Sequence, residues 1–279
     1  MDQPPSHWVH DLSPFLIRFT EQLGVRYYGL AYLLGFALGG WILYRASIRG
    51  RLALPPASVA DLMTALIIGV MAGGRLGYFV LYEPGTLFSN PFQLFKILDG
   101  GMSSHGGFVG VGVAIWWFVR KQNIRFLALA DATIAVAPLG IGLGRVANFI
   151  NGELWGRVSN VSWAVIFPTS ARPGTPVSLI DPRHPSQLYA AMLEGFLIFG
   201  YLQWRYWRTN APGNQPGRIT GEFLIIYAIA RMITEIFREP DAGLILGLTR
   251  GTFYSIFMIV AGLIVIRRSK SLGQPTRID

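Results

Sequence analysis

A cluster of charged and amide side chains follows directly on a strongly apolar run at residues 144–157. Arg145 and Asn148 are three residues apart, so a helix would place them on one face, and Glu153 follows shortly after. Such side chains are costly within a membrane, which favours a functional role, and the forked donors of arginine match a phosphate group. In the alternative interpretation, Arg145 reaches out to lipid headgroups and Asn148 joins helices.

A second polar stripe is formed by Tyr227, Arg231, Glu235 and Arg238. At ~100° per residue these four side chains project onto one helical face, which should point to protein or water because lipid offers no partner. The sequence leaves two ion pairings of Glu235 open. Arg231 and Glu235 neutralise each other, or Glu235 pairs with Arg238 and leaves Arg231 for an anion.

Three further residues are candidates for chemistry. His105 stands among glycines at the predicted start of a helix, where it could act as a base near neutral pH; a hydrogen-bonded structural histidine is the alternative. Arg75 and Tyr28 fall toward the outer ends of apolar segments. A tyrosine at that depth could equally belong to an aromatic belt.

The composition indicates an integral membrane protein. Hydrophobic residues make up 52% of the 279-residue chain, charged residues 14%, and the mean hydropathy is +0.41. Apolar segments are long enough to cross a bilayer. The sequence therefore predicts an all-α, polytopic protein of about seven transmembrane helices, at residues 26–44, 59–82, 102–119, 126–150, 187–204, 220–238 and 252–266.

Basic residues predict the orientation. Arginine and lysine concentrate after the first, third, fifth and seventh predicted spans, which places the N-terminus outside and the C-terminus inside. The net charge of +9 is mainly this topology signal; it also suits anionic lipid and does not indicate nucleic-acid binding. Residues 151–186 form a small periplasmic cap inserted into one membrane domain, 1–279. A short interfacial helix is predicted from Ser13 to about residue 23.

Cysteine is absent from the chain. The sequence therefore provides no disulfide, thiolate metal ligand or cysteine nucleophile, and we predict neither a metal site nor a cofactor. Glycines recur at four-residue spacing at Gly69, Gly73 and Gly77 and again at Gly106 and Gly110. Such ridges predict closely packed helices in lipid.

Several blocks resemble the bacterial prolipoprotein diacylglyceryl transferases. They are Tyr28-Gly29-Leu30, residues 73–78, His105-Gly106-Gly107, residues 144–157, residues 184–189, and residues 227–231 with 235–241, and they occur in family order over nearly the whole chain. The family pattern is not followed at Ser104 and at Arg250-Gly251-Thr252. These departures concern substrate entry and product exit more than the chemistry.

The resemblance implies an enzyme of the bacterial inner membrane. Such an enzyme transfers the diacylglyceryl group of phosphatidylglycerol to the lipobox cysteine in the signal peptide of a prolipoprotein, forming a thioether and releasing glycerol phosphate. An anion or lipid transporter with an arginine-lined path is the alternative. The expected catalytic residues are His105, Arg145, Arg231 and Tyr28, and the expected substrate-binding residues are Asn148, Glu153, Gly156, Tyr227, Glu235, Arg238 and Arg75.

Overall fold

The computed structural model describes residues 7–20, 23–96, 100–240 and 243–272. Most of these residues are helical. The α-helices are α1 (Tyr27–Ile48), α2 (Ser58–Tyr82), α3 (Pro84–Ser89), α4 (Ser104–Gln122), α5 (Phe126–Ile150), α6 (Ser186–Ala190), α7 (Leu197–Arg208), α8 (Ala211–Asn214), α9 (Arg218–Phe237) and α10 (Arg250–Leu272). A π-helical turn, Ala191–Phe196, joins α6 to α7 and is called the π segment below.

Helices coincide with all the predicted spans. Within the described residues, four of them, α1, α2, α5 and α10, are long and apolar enough to cross a membrane. Two of the remaining three are less apolar or less regular for identifiable reasons. Helix α9 carries Arg218, Glu222, Arg231 and Glu235, and the π segment interrupts the helix between residues 186 and 208.

The N-terminal segment forms strands where a helix was predicted. Strand β2 (Phe15–Arg18) pairs antiparallel with β3 (Gly24–Arg26), and the turn is held by a 2.9 Å hydrogen bond from the Leu23 amide to Thr20 Oγ1. The predicted helix from Ser13 is therefore wrong, although residues 21 and 22 lie outside the described chain. Pairing between the strands satisfies backbone groups that a short helix would have left open at its ends.

A second small sheet joins the N-terminal segment to the segment after α5. Strand β1 (Trp8–Val9) runs parallel to β4 (Val165–Ile166). His10 extends this contact, because its Nε2 lies 2.7 Å from the carbonyl oxygen of Phe149 at the end of α5. Residues 8–10 are thus fixed to the end of α5 and to the strand that follows it.

The chain divides into two compact units. One comprises Met1–Gly39 and Thr133–Asp279, and the other comprises Gly40–Ala132. In the second unit, α2 packs along α4 through the predicted glycine ridges. A Cβ on Gly69 would lie 2.6 Å from the Gly110 oxygen, and one on Gly77 would lie 3.1 Å from the Gly106 nitrogen. The prediction of close packing by these glycines is confirmed.

In the first unit, α9 packs against both α7 and α10. Gly221 on α9 and Gly262 on α10 permit close approach, since a Cβ on either would lie 2.8 Å from the other's carbonyl oxygen. Pro138 is accommodated inside α5. These helices carry most of the polar side chains considered next.

Candidate functional site

Two arginines from different helices share one buried carboxylate in the first unit. Arg145 Nη2, on α5, lies 3.2 Å from Glu194 Oε2, and Arg231 Nη1, on α9, lies 3.3 Å from Glu194 Oε1. The Glu194 side chain is 0% exposed, whereas the two arginine side chains retain 20% and 15% exposure. A carboxylate buried to this extent requires such partners, because an unpaired charge is very costly there.

Hydroxyl groups complete the coordination of Glu194. Thr234 Oγ1 donates to Glu194 Oε1 over 2.5 Å, and the Tyr227 hydroxyl donates to Oε2 over 3.5 Å. Arg231 also forms an ion pair with Glu235 through Nη2. Of the two pairings considered from the sequence, the structure therefore contains that of Arg231 with Glu235. Arg231 is held between two carboxylates.

A second polar cluster begins one turn further along α5. The Asn148 amide donates to the Tyr28 hydroxyl and, over 2.8 Å, to Glu153 Oε1. Asn148 is buried, and Asn151 Nδ2 lies 3.4 Å from the same Glu153 oxygen. Because Arg145 and Asn148 share a helical face, the two clusters adjoin along α5.

Gly156 has a packing role. Its amide donates to the His184 oxygen over 2.9 Å, and it forms a β-bridge with Arg238. A Cβ on Gly156 would lie 2.6 Å from the carbonyl oxygens of both His184 and Phe237. Close approach of three backbone segments therefore requires glycine here.

His184 lies in the non-helical segment before α6. The Trp163 indole donates to the Tyr189 hydroxyl over 2.6 Å, and that hydroxyl lies 3.2 Å from His184 Nδ1. The tyrosine hydroxyl thus links the indole ring of Trp163 to the imidazole ring of His184. Burial lowers the pKa of His184 below its usual value, because desolvation disfavours the imidazolium.

A small cavity adjoins the arginine pair within this unit. Three arginines are among the residues that line it. The full lining is Arg145, Leu154, Ser186, Gln187, Ala190, Arg231, Thr234 and Arg238. Gln187 Nε2 donates to the Glu153 carbonyl oxygen over 2.7 Å, and Ser186 Oγ donates to that of Leu154 over 3.2 Å. The start of α6 is thereby tied to the loop after α5.

Two predicted site residues lie in the other unit. Arg75 donates to the carbonyl oxygens of Gln93, Leu94, Lys96, Gly100 and Gly101. All five guanidinium N–H groups thus have main-chain acceptors, which gives Arg75 a structural role. Its part in substrate binding stays a prediction. His105 stands in the first turn of α4, which Ser103 caps by accepting from the Gly106 amide over 3.3 Å; its side chain is exposed.

Sequence reasoning missed Glu194, Thr234 and Gln187. A signal for Glu194 existed, because it is the acidic residue within the predicted span at 187–204, and intramembrane carboxylates are functional candidates by default. Thr234 and Gln187 carried no comparable signal, since their importance depends on contacts with distant residues. Among the described residues, no group of three His, Asp or Glu side chains is arranged to hold a metal ion.

Comparison with known proteins places the chain in a family. The family model for prolipoprotein diacylglyceryl transferase matches residues 14–268. The phosphatidylglycerol–prolipoprotein diacylglyceryl transferase of Ruegeria pomeroyi is 41% identical over 94% of this chain and 97% of its own length. Those of Zymomonas mobilis and Shewanella oneidensis are 43% and 42% identical, over 88% and 92% of this chain and 84% and 96% of their own lengths. The chain belongs to the prolipoprotein diacylglyceryl transferase family.

Proposed function

We propose that this chain transfers the diacylglyceryl group of phosphatidylglycerol to the lipobox cysteine of a prolipoprotein signal peptide. The observation that carries the proposal is the pair of arginines, Arg145 and Arg231, held by one buried carboxylate beside a cavity. The enzyme is a membrane transferase, and phosphatidylglycerol and a prolipoprotein are its substrates. Relatives named as transferases do not support the transporter alternative.

Arg145 and Arg231 bind the lipid phosphate in this proposal. Each guanidinium presents parallel donors to phosphate oxygens, which a lysine ammonium cannot reproduce. Both also neutralise charge that accumulates on the departing glycerol phosphate, so they assist the transition state as well as binding. The phosphate then competes with the carboxylate of Glu235 for Arg231.

The reaction joins sulfur to carbon. The cysteine thiol has a reference pKa near 8.5, so it must lose its proton before attack. The thiolate attacks the C3 carbon of the diacylglyceryl group, the bond between that carbon and the phosphate oxygen breaks, and the thiol proton leaves with the released glycerol phosphate. His105 is the proposed base that carries the proton.

The remaining polar residues orient the substrates. Tyr28, Asn148 and Glu153 form one hydrogen-bonded cluster, which we assign to the lipid headgroup. Tyr227 and Glu235 support the arginines, and Arg238 lines the cavity. Gly156 contributes through packing, and Arg75 through its backbone contacts.

The proposed setting is the bacterial inner membrane. We propose seven spans in one membrane domain, 1–279, with the N-terminus and the cap at 151–186 in the periplasm and the C-terminus in the cytoplasm. Because the chain lacks cysteine, single cysteines at Ser170 and Gln215 test this topology. An impermeant maleimide should label the first from outside and the second only after lysis; the reverse pattern refutes the orientation.

A reconstituted assay tests the activity. Purified protein is mixed with phosphatidylglycerol and a lipobox peptide, and the mass of the peptide is followed. We expect addition of one diacylglyceryl group and release of glycerol phosphate, with no product from a peptide whose cysteine is replaced by serine. A protein that moves anions across vesicles but leaves phosphatidylglycerol intact would be a transporter.

A further inference from the structure

Gln187 presents an unsatisfied acceptor beside the arginine pair. The residue is 2% exposed and lines the cavity together with Arg145, Arg231 and Arg238. Its Nε2 donates to the Glu153 carbonyl oxygen over 2.7 Å, which sets the orientation of the amide. Its Oε1 is buried and has no hydrogen-bond partner in the described part of the chain.

An unpaired buried acceptor is unfavourable, and nearly all such atoms in folded proteins have a donor. The amide nitrogen of Gln187 has a partner. Its hydrogen bond to Glu153 connects Gln187 to the cluster of Tyr28 and Asn148. A hydroxyl of a bound ligand that reaches the cavity lined by Gln187 would supply this donor.

The charge of the cavity restricts that donor. Arg145, Arg231 and Arg238 line the same space, and the carboxylates paired with the first two are Glu194 and Glu235, so an ammonium donor would meet a net positive charge. A neutral hydroxyl meets no such repulsion. The glycerol headgroup of phosphatidylglycerol carries two hydroxyls next to its phosphate, so one hydroxyl can enter the cavity while the phosphate lies on the exposed parts of Arg145 and Arg231.

We propose that Gln187 Oε1 accepts a hydrogen bond from a hydroxyl of the glycerol headgroup while the phosphate lies on Arg145 and Arg231. Gln187 thereby selects a polyol headgroup, and the arginines select the phosphodiester. This inference rests on the proposed function, because it places the headgroup of phosphatidylglycerol against the residues that line this cavity. The cavity is about 10 Å³ in volume, which admits one hydroxyl and not the phosphate.

A lipid that differs only in its hydroxyls tests the selection. Phosphatidylpropanol has the same phosphodiester and charge as phosphatidylglycerol but offers no headgroup donor. The kcat/KM for peptide lipidation is measured with each lipid for the wild type, for Gln187→Met and for Gln187→Glu. Methionine has a similar length and no amide, whereas glutamate keeps an acceptor and loses the donor to Glu153.

Gln203 supplies a matched control. It lies on α7, its Nε2 donates to the Ala135 oxygen over 2.8 Å, and its Oε1 accepts from the Trp207 indole over 2.9 Å. Both ends of this amide are therefore satisfied within the protein. Gln203→Met should keep the lipid preference of the wild type even if it lowers stability.

The wild type should prefer phosphatidylglycerol, by about fivefold to tenfold for one hydrogen bond. Gln187→Met should lose this preference through a lower kcat/KM for phosphatidylglycerol alone, and Gln187→Glu should retain it. The inference is overturned if Gln187→Met loses kcat/KM equally with both lipids. It is also overturned if the wild type has equal kcat/KM with the two lipids. If Gln187→Met does not fold, the ratio of kcat/KM for the two lipids is compared between the wild type and Gln187→Glu. Loss of the preference in Gln187→Glu then also overturns the inference. A wild type that lipidates no peptide with either lipid instead refutes the proposed function.

Discussion

Gly195 lies directly against the backbone of Gly142, so that a Cβ on Gly195 would be 2.6 Å from the Gly142 nitrogen. This contact brings the π segment onto α5. Glu194 precedes Gly195, and Arg145 follows Gly142 by three residues on α5, so the close approach helps to bring the carboxylate to the guanidinium. π-helical turns are frequent at functional sites because the extra residue redirects side chains.

Gly195→Ala should therefore reduce transfer while the membrane helices still form. The added methyl group moves Glu194 away from Arg145, and a displacement of about 1 Å in a catalytic arrangement can cost on the order of a hundredfold. The rate of peptide lipidation measures this effect. Gly200→Ala, with nothing within 4 Å of the new methyl group, is the matched control and should keep full activity. A normal rate for Gly195→Ala would show that the contact does not position the site.

Glu194→Gln should lower both stability and transfer. The amide keeps hydrogen bonds but leaves two guanidinium groups without their shared charge, and breaking a buried ion pair typically costs about 3–5 kcal/mol. Thermal unfolding in detergent and lipidation kinetics measure the two effects, and Glu194→Asp should partly restore the rate.

Glu222 offers the control for this experiment. It also holds two arginines, Arg205 and Arg218, each at 2.7 Å, but lies thirteen residues before Glu235 on α9, or about 20 Å at the rise of an α-helix. Glu222→Gln should lose some stability and keep transfer. Equal rates for Glu194→Gln and Glu222→Gln would contradict a special role of Glu194.

Replacing Arg145 or Arg231 by alanine should abolish transfer in protein that still inserts and folds. Lysine should restore little, since a compact ammonium cannot contact two phosphate oxygens in parallel or span the two carboxylates of Arg231. Lipidation assays at matched protein levels measure this. Near-normal transfer by a folded alanine variant would remove that arginine from phosphate binding.

His105→Gln tests the proposed base. Glutamine keeps a hydrogen bond but accepts no proton near neutral pH, so transfer should fall by about a hundredfold to ten-thousandfold, the usual worth of general-base assistance. The deficit should shrink as the pH approaches the pKa of the thiol, where thiolate forms unaided. The ratio of wild-type to variant rate from about pH 6 to 9 provides the measurement. A deficit of equal size at every pH would point to a role other than proton transfer.

His184 should make stability depend on pH. Its pKa in the folded protein is lowered from the usual 6.5, so the unfolded chain binds the proton first as the pH falls. The associated stability is complete above 6.5 and is lost as the pH decreases through the folded pKa. In His184→Gln, the unfolding midpoint should vary less with pH than in the wild type, over the range from about pH 5 to 8. Parallel curves for the two proteins would contradict this.

The sequence by itself determined the class of protein and much of its chemistry. Long apolar runs must be buried in lipid, and charged residues inside them are costly, so Arg145, Arg231 and Glu235 could be named as site candidates without a fold. Helical spacing also placed Arg231 and Glu235 on one face and aligned the glycines of each ridge, because these relationships depend on a repeat of 3.6 residues. Which partner Glu235 takes was left open by the spacing.

Tertiary structure decided which charges meet. Glu194 contacts Arg145 and Arg231 across separations of 49 and 37 residues, and no local pattern encodes such a distance. The unpaired oxygen of Gln187 likewise depends on what packs around it. Local spacing determines which side chains share a face of one element, whereas the packing of different elements determines what that face contacts.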